Sequence, residues 1–285
     1  TMLKRILITG ANAGLGKECA RQMAQFQNVE KVYLGCRNES KAQTALGELE
    51  QQTGRKIFEF LEIDVSDLTS VRKAVASLDA PIDALVMNAG GTGRKNFSEM
   101  NANGVTRIFA VNLLGHVVLT NELLASNKLT QVALYAGSEA ARGVKEMGMK
   151  RPDLPTSSVD EFSAICEGEL FGHKSDATVP YGPVKYMAAL WMSSMARQHP
   201  NTRFITMSPG ATTGTEGFNS LSPIKRYVMK GMMKIMLMIG KVHKLEVGAQ
   251  RFVDGLTKDM YKTGVFYGSR VGLTGPIDEQ SKHFP

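Results

Sequence analysis

Leu3 to Gly16 reads LKRILITGANAGLG. Leu3, Ile6, Leu7 and Ile8 make a short apolar run with the length of a buried strand. Thr9-Gly10 break the run, Gly10, Gly14 and Gly16 follow at close spacing, and from Leu15 to about Gln27 the pattern is helical. The stretch predicts strand, glycine turn and helix. Glycines let the backbone take φ > 0 and come close to a ligand, while a helix N-terminus offers unpaired N–H groups and a positive dipole end. That pairing suits a pyrophosphate. The spacing is Gly-x-x-x-Gly-x-Gly rather than G-x-G-x-x-G, so alone it also reads as an ordinary glycine-rich turn.

Outward from this turn, strand and helix alternate. KVYLGCR, residues 31 to 37, is a second strand, followed by a helix over Ser40 to Gln52, a strand over Lys56 to Ile63, Asp64-Val65, and a helix over Asp67 to Leu78. Ile82 to Met87 is a strand closing on Asn88-Ala89-Gly90, Phe97 to Ala125 reads as one long helical region, and the strand Gln131 to Ala136 ends at Gly137-Ser138. A helix running to about Gln198 opens with Tyr181 and Lys185. RFITMS then leads into Pro209-Gly210, a helix spans Leu245 to Leu256, and Gly264 to Tyr267 is a last strand. Such alternation predicts an α/β, Rossmann-type, doubly wound sheet of seven mainly parallel strands with helices on both faces. The chain reads as one domain, with two weakly periodic insertions at 139–180 and 214–245 that are expected to form a lid over the carboxyl edge of the sheet.

The end of the second strand bears on the ligand. An acidic residue there would accept hydrogen bonds from an adenosine 2′-OH, whereas arginine pairs with a 2′-phosphate. Here the sequence is Cys36-Arg37-Asn38, without an acid, which favours NADP(H) over NAD(H); the alternative is a loop arginine in solvent. Asn112 and His116 lie within the apolar stretch VNLLGHVV, where a polar group must be hydrogen-bonded or serve a purpose, and His116 reads first as a packing histidine. Tyr181 and Lys185, four positions apart, fall on one helix face.

The composition is that of an ordinary globular domain: 285 residues, 43% hydrophobic and 21% charged. The formal charge of +7 comes without a long basic run, and no motif for nucleic-acid binding is present. Cys19, Cys36 and Cys166 lie far apart and form no metal-ligand pattern, which points to a reducing compartment and to no metal. No apolar run of membrane-spanning length is read, and the N-terminus enters a strand at once, with no room for a signal peptide. The expected location is the cytoplasm.

Thr9-Gly10-x-x-x-Gly14-x-Gly16, Asp64, Asn88-Ala89-Gly90, Asn112, Ser138, Tyr181-x-x-x-Lys185 and Pro209-Gly210, in this order, resemble the short-chain dehydrogenase/reductase superfamily over essentially the whole chain. GCRN after the second strand, VNLLGHVVLTN, the long segment between Ser138 and Tyr181, and GVFYGS are most similar to its retinol dehydrogenase and protochlorophyllide reductase branch. The resemblance implies a catalytic set of Asn112, Ser138, Tyr181 and Lys185. Tyr181 would be the general acid for reduction and the base for oxidation, Ser138 would orient the substrate oxygen, and Asn112 would position a water linking Lys185 to solvent. A neighbouring Lys185 ammonium is expected to lower the Tyr181 pKa. For the cofactor, Gly10, Asn12, Gly14, Leu15 and Gly16 would frame the pyrophosphate, Arg37 the 2′-phosphate, Asp64 and Val65 the adenine, and Asn88, Ala89 and Gly90 the adjoining ribose. Lys185 would hold the nicotinamide ribose beside Tyr181, and Pro209, Gly210, Thr212 and Thr213 would support the nicotinamide end. Two departures stand out: the paired serines of the fifth strand are Gly137-Ser138, and the threonine after Pro209-Gly210 is shifted among Thr212, Thr213 and Thr215.

The leading expectation is an NADP(H)-dependent oxidoreductase acting on a carbonyl or alcohol of a bulky hydrophobic substrate. A cofactor sensor without turnover and a light-driven tetrapyrrole reductase, with Cys166 as an added proton donor, are the alternatives. Met229, Met232, Met233, Met236 and Met238 read equally as a pliable lid or as the core side of a packed helix. With Lys225, Arg226, Lys230, Lys234, Lys241 and Lys244 beside them, they also read as a peripheral membrane-contacting patch. A monomer is expected in preference to a homodimer.

Overall fold

The computed structural model describes residues 2–92, 96–145, 150–171, 178–213 and 236–283. Its centre is one sheet built from β1 (Arg5–Thr9), β2 (Lys31–Cys36), β3 (Phe58–Glu62), β4 (Ile82–Met87), β5 (Leu129–Ala136), β6 (Arg203–Met207), β7 (Phe266–Val271) and β8 (Thr274–Glu279). The strand order is β3-β2-β1-β4-β5-β6-β7-β8. Every pairing is parallel except the last, in which β7 and β8 form an antiparallel hairpin. The eighth strand corrects the expectation of seven. Its sequence, TGPIDE, carries glycine, proline and two acids, residues depleted in strands, and it is tolerated because it lies at the sheet edge.

The central strands are buried on both faces, and alternation along them sorts side chains into two cores. Ile6, Ile8, Ala84, Val86, Val132, Leu134, Ile205 and Met207 pack with α1 (Gly14–Met23), α2 (Glu39–Thr53) and α7 (Leu245–Thr257). Leu7, Leu85, Met87, Ala133, Tyr135 and Phe204 face α3 (Leu68–Ser77), α4 (Arg107–Ala125) and α6 (Thr178–Gln198). A short helix, α5 (Val159–Glu167), lies in the first insertion; Ser158 caps it by accepting from the Glu161 N–H.

Helix α4 starts at Arg107, ten residues later than Phe97. The preceding polar stretch instead folds on Asn101, whose side chain accepts from the N–H groups of Asn103 and Val105. Among the described residues α4 alone is long and apolar enough to cross a membrane, although the sequence reading found no such run; more than half of that span is buried in this domain. It also carries a turn wound one residue wider, a π turn over Ala110–Leu114. The order in which strands are laid down reverses between β1 and β4, two parallel neighbours, and the crevice outside their carboxyl ends is where open α/β sheets take ligands.

Candidate active site

A cleft of about 610 Å³ opens at that crevice, lined by residues that follow β1, β2, β3, β4 and β5 and by Tyr181 and Lys185 of α6. Of the expected cofactor residues, Gly10, Asn12, Gly14, Leu15, Arg37, Asp64, Val65, Asn88, Ala89, Gly90, Tyr181, Lys185 and Pro209 lie along it. Gly16 lies beneath it: a Cβ there would come within 2.6 Å of both the Asn88 amide nitrogen and the Gly10 carbonyl. Gly210, Thr212 and Thr213 are not among the lining residues. They form a turn behind Pro209, tied to His243 through a Thr212 bridge and the Thr213 N–H. Thr215 lies outside the described residues.

The glycine turn is held by groups distant in sequence. Thr9 Oγ1 accepts the N–H groups of Asn88 and Ala89 at 3.0 Å, and the Asn88 amide donates to the carbonyls of Thr9 and Gly10. Asn88 is therefore committed to joining β4 to the turn. Cys36, which the sequence marked only as unpaired, accepts from the N–H groups of Ala11 and Asn12. Gly10 and Gly14 have φ of +66° and +54°, and Ala13, at the N-cap of α1, offers no side-chain cap. The helix N-terminus is thus left to a ligand.

At the far side, Arg37 is exposed and 4.0 Å from Asp64 Oδ2. The other oxygen of Asp64 accepts from the N–H and hydroxyl of Ser66. Asn38 is used in capping α2 through the Lys41 N–H.

Tyr181 and Lys185 share the inner end of the cleft, with Lys185 Nζ 5.5 Å from the Tyr181 ring centre. Ser138, just past β5, hydrogen-bonds the Tyr181 phenol and caps the following turn through the Ala140 N–H. The expected pKa relation is not the one found. Burial pushes the Tyr181 phenol up to about 12, the Ser138 hydrogen bond opposes this, and the Glu139 carboxylate adds to the rise. Burial likewise pushes the Lys185 ammonium down to about 7. Desolvation outweighs mutual attraction because Lys185 is 4% exposed and points its charge at the Ala136 carbonyl, 2.8 Å away.

Asn112 sits in the π turn with its side chain fully used: it donates to the carbonyls of Gly91 and Ile108 and accepts from the Gly91 N–H. Its backbone carbonyl accepts from the Tyr135 hydroxyl at 2.7 Å and meets His116 Nδ1 at 3.3 Å. Both the side chain and the carbonyl of Asn112 are thus engaged by groups of the chain itself. His116 is a packing histidine, as read, with its other nitrogen 3.0 Å from Thr9 Oγ1 and burial lowering its pKa to about 4.

Comparison with known proteins adds to this geometry. The family model for short chain dehydrogenases matches residues 4–132. A short chain dehydrogenase of Aspergillus nomiae is 35% identical over 220 residues, covering 73% of this chain and 58% of the relative. Human retinol dehydrogenase 11 is 34% identical over 128 residues, 44% of this chain and 39% of its own length. The chain belongs to the short-chain dehydrogenase/reductase superfamily. The chain spans about three fifths of the fungal relative's length. The fold is similar to that of L-sorbose reductase from Gluconobacter frateurii, solved with NADPH and L-sorbose, at TM-score 0.70 and 17% identity over 95% of this chain and 96% of that one.

Superfamily motifs did not reveal the support behind Pro209. Glu139, buried, accepts from the Ser208 hydroxyl and the Ser269 N–H. Arg251, also buried, lies 3.8 Å from that carboxylate and donates to Ser208, Ser269 and Gly275. His243 Nε2 sits 2.6 Å from the Pro209 carbonyl. Neither residue stands out in the sequence, where Ser138 and Arg142 flank Glu139 and Gln250 and Asp254 flank Arg251. Of the Met-rich segment, Met229, Met232 and Met233 lie outside the described residues, whereas Met238 is 86% exposed and so does not face the core. Among the described residues, no three His, Cys, Asp or Glu side chains converge as metal ligands.

Proposed function

We propose that this chain is an NADP(H)-dependent oxidoreductase that moves hydride between nicotinamide and the carbonyl or alcohol of a hydrophobic substrate, with Tyr181 as general acid and base. One observation carries the reading: Tyr181, Ser138 and Lys185 meet at one end of a cleft whose other end carries the uncapped α1 N-terminus and Arg37. The residues fit a dinucleotide, since Gly10 and Gly14 hold left-handed backbone and a side chain at Gly16 would intrude on the turn. When bound, the dinucleotide gives or takes the hydride.

The chain's own groups supply the rest. The α1 N–H groups and dipole hold the pyrophosphate, and Arg37, exposed at the end of β2 and only loosely engaged by Asp64 at 4.0 Å, pairs with a 2′-phosphate. Ser138 orients the substrate oxygen, the phenol of Tyr181 delivers a proton to it, and Lys185 returns one to the phenolate. An NADP-dependent 3-hydroxy acid dehydrogenase of Schizosaccharomyces pombe, 33% identical over 49% of this chain and 57% of its own, supports the choice of NADP(H). The similarity to retinol dehydrogenase supports an apolar substrate. Three unpaired cysteines support a reducing, cytoplasmic setting.

Calorimetric titration with NADPH and NADH, repeated on Arg37→Ala, tests the cofactor. NADPH is expected to bind at least tenfold tighter, about 1.4 kcal/mol, and the variant to lose that preference. On a panel of ketones and aldehydes, Tyr181→Phe is expected to lower kcat by at least about 100-fold. Binding without turnover in the unaltered chain would instead indicate a sensor.

A further inference from the structure

Tyr135 is fully buried, on the face of β5 that looks toward α4 and α6. Its hydroxyl donates to the Asn112 carbonyl at 2.7 Å and accepts from Lys185 Nζ at 3.2 Å. Lys185 thus has two of its three N–H donors assigned on the inner side, to Tyr135 and the Ala136 carbonyl. Beyond Tyr135 the polar contacts run on through the Asn112 carbonyl to His116 and then Thr9, all buried, and end at the glycine turn. A phenol in a buried chain of this kind has no partner to which it could lose a proton: the group it donates to is an amide carbonyl.

We infer that Tyr135 is a positioning residue for Lys185, its hydroxyl fixing the inner side of the ammonium so that Lys185 exchanges protons only through the cleft, on the side of Tyr181. The inference rests on the reading of Lys185 as the proton partner of Tyr181, and it departs from the water at Asn112 that the superfamily resemblance implied. The geometry closes that route, because Tyr135 already stands between Lys185 and the Asn112 carbonyl. Burial, with the nearby Tyr181, holds the ionisation of Tyr135 well above the ordinary phenol range, so it stays protonated as a donor to Asn112. Tyr135 can accept from Lys185 but cannot resupply it.

The titratable groups facing Lys185 are Tyr181 from its own helix, Tyr135 from β5 and His116 from α4. Tyr135→Phe removes a single acceptor from the charged form of Lys185 and leaves the ring, so the ammonium should titrate at lower pH. The test is an NMR titration of the whole chain carrying ¹³C at lysine Cε, without cofactor or substrate. In the variant, Lys185 is expected to titrate about one pH unit lower, a tenfold change in its proton affinity; an unchanged titration overturns the inference. With a carbonyl that the unaltered chain reduces, the Lys185 limb of the kcat–pH profile should move by the same amount while KM is held. A merely structural role would lower stability and leave the limb in place, which also overturns it. If the unaltered chain reduces no carbonyl, the oxidoreductase reading fails while the titration still decides the placement of Lys185. If Tyr135→Phe does not fold, the hydroxyl proton of Tyr135 is followed in the unaltered chain with labelled tyrosine. Slow exchange with solvent is expected, and fast exchange overturns the closed inner side.

Discussion

Lys185 contributes to stability with a definite sign. In the folded chain burial sets its pKa at about 7, against an ordinary value of 10.5. Between these values the unfolded chain holds a proton that the folded chain lacks, so folding stability rises with pH across that window and is flat below it. Lys185→Met removes the cost of burying the charge. The variant's advantage over the unaltered chain is therefore expected to be greatest below about pH 7 and to shrink by up to about 1.4 kcal/mol per pH unit as pH rises toward 10. Urea unfolding at pH 6 and pH 9 measures it, and a pH-independent difference would refute the buried ammonium. The same residue also shows why the pair was only half legible: four-residue spacing put Tyr181 and Lys185 on one face, but their pKa directions depend on burial, to which β5 and α4 contribute.

At the level of elements, the cleft depends on how strand ends are tied to one another. Thr9 and Asn88 tie β1 to β4, Cys36 ties β2 to the glycine turn, and Glu139 with Arg251 ties the end of β5 to β6 and the β7–β8 hairpin. The buried pair is the most exposed to mutation in an energetic sense. Arg251→Met would leave the Glu139 carboxylate buried without its cation, at a cost of about 3–5 kcal/mol. Urea denaturation is expected to show this loss, together with weaker dinucleotide binding, because Arg251 also donates to the Ser208 carbonyl beside Pro209. The double variant Arg251→Met/Glu139→Gln should recover part of the stability, since removing both charges ends the desolvation penalty.

For the whole molecule, one sheet edge gathers residues from β1 through β6, so a ligand in the cleft touches most of the fold at once. Binding to the folded chain alone then stabilises it by mass action. At 100 times its Kd, NADPH is expected to raise the unfolding free energy by about 2.7 kcal/mol, with a matching rise in Tm. NADH at the same concentration should give a smaller shift, and Arg37→Ala should bring the two shifts together. Thermal scans at several cofactor concentrations check this; equal shifts from both dinucleotides in the unaltered chain would refute the role of Arg37.

The sequence by itself determined the alternation of strand and helix, the parallel sheet, and the placement of Gly10, Gly14, Arg37, Asn88, Ser138, Tyr181 and Lys185 at strand ends or helix starts. These are legible because they rest on local patterns: apolar runs, glycine where φ is positive, and spacing on one helix face. The eighth strand was not legible, since an edge strand tolerates the glycine and proline that argue against strand formation elsewhere. Nor were the duties of Thr9, Cys36, Glu139, Arg251 and Tyr135. Each is a buried polar group whose partner lies far along the chain, and burial obliges it to find one. Which partner it finds is decided only when the sheet brings the strand ends together.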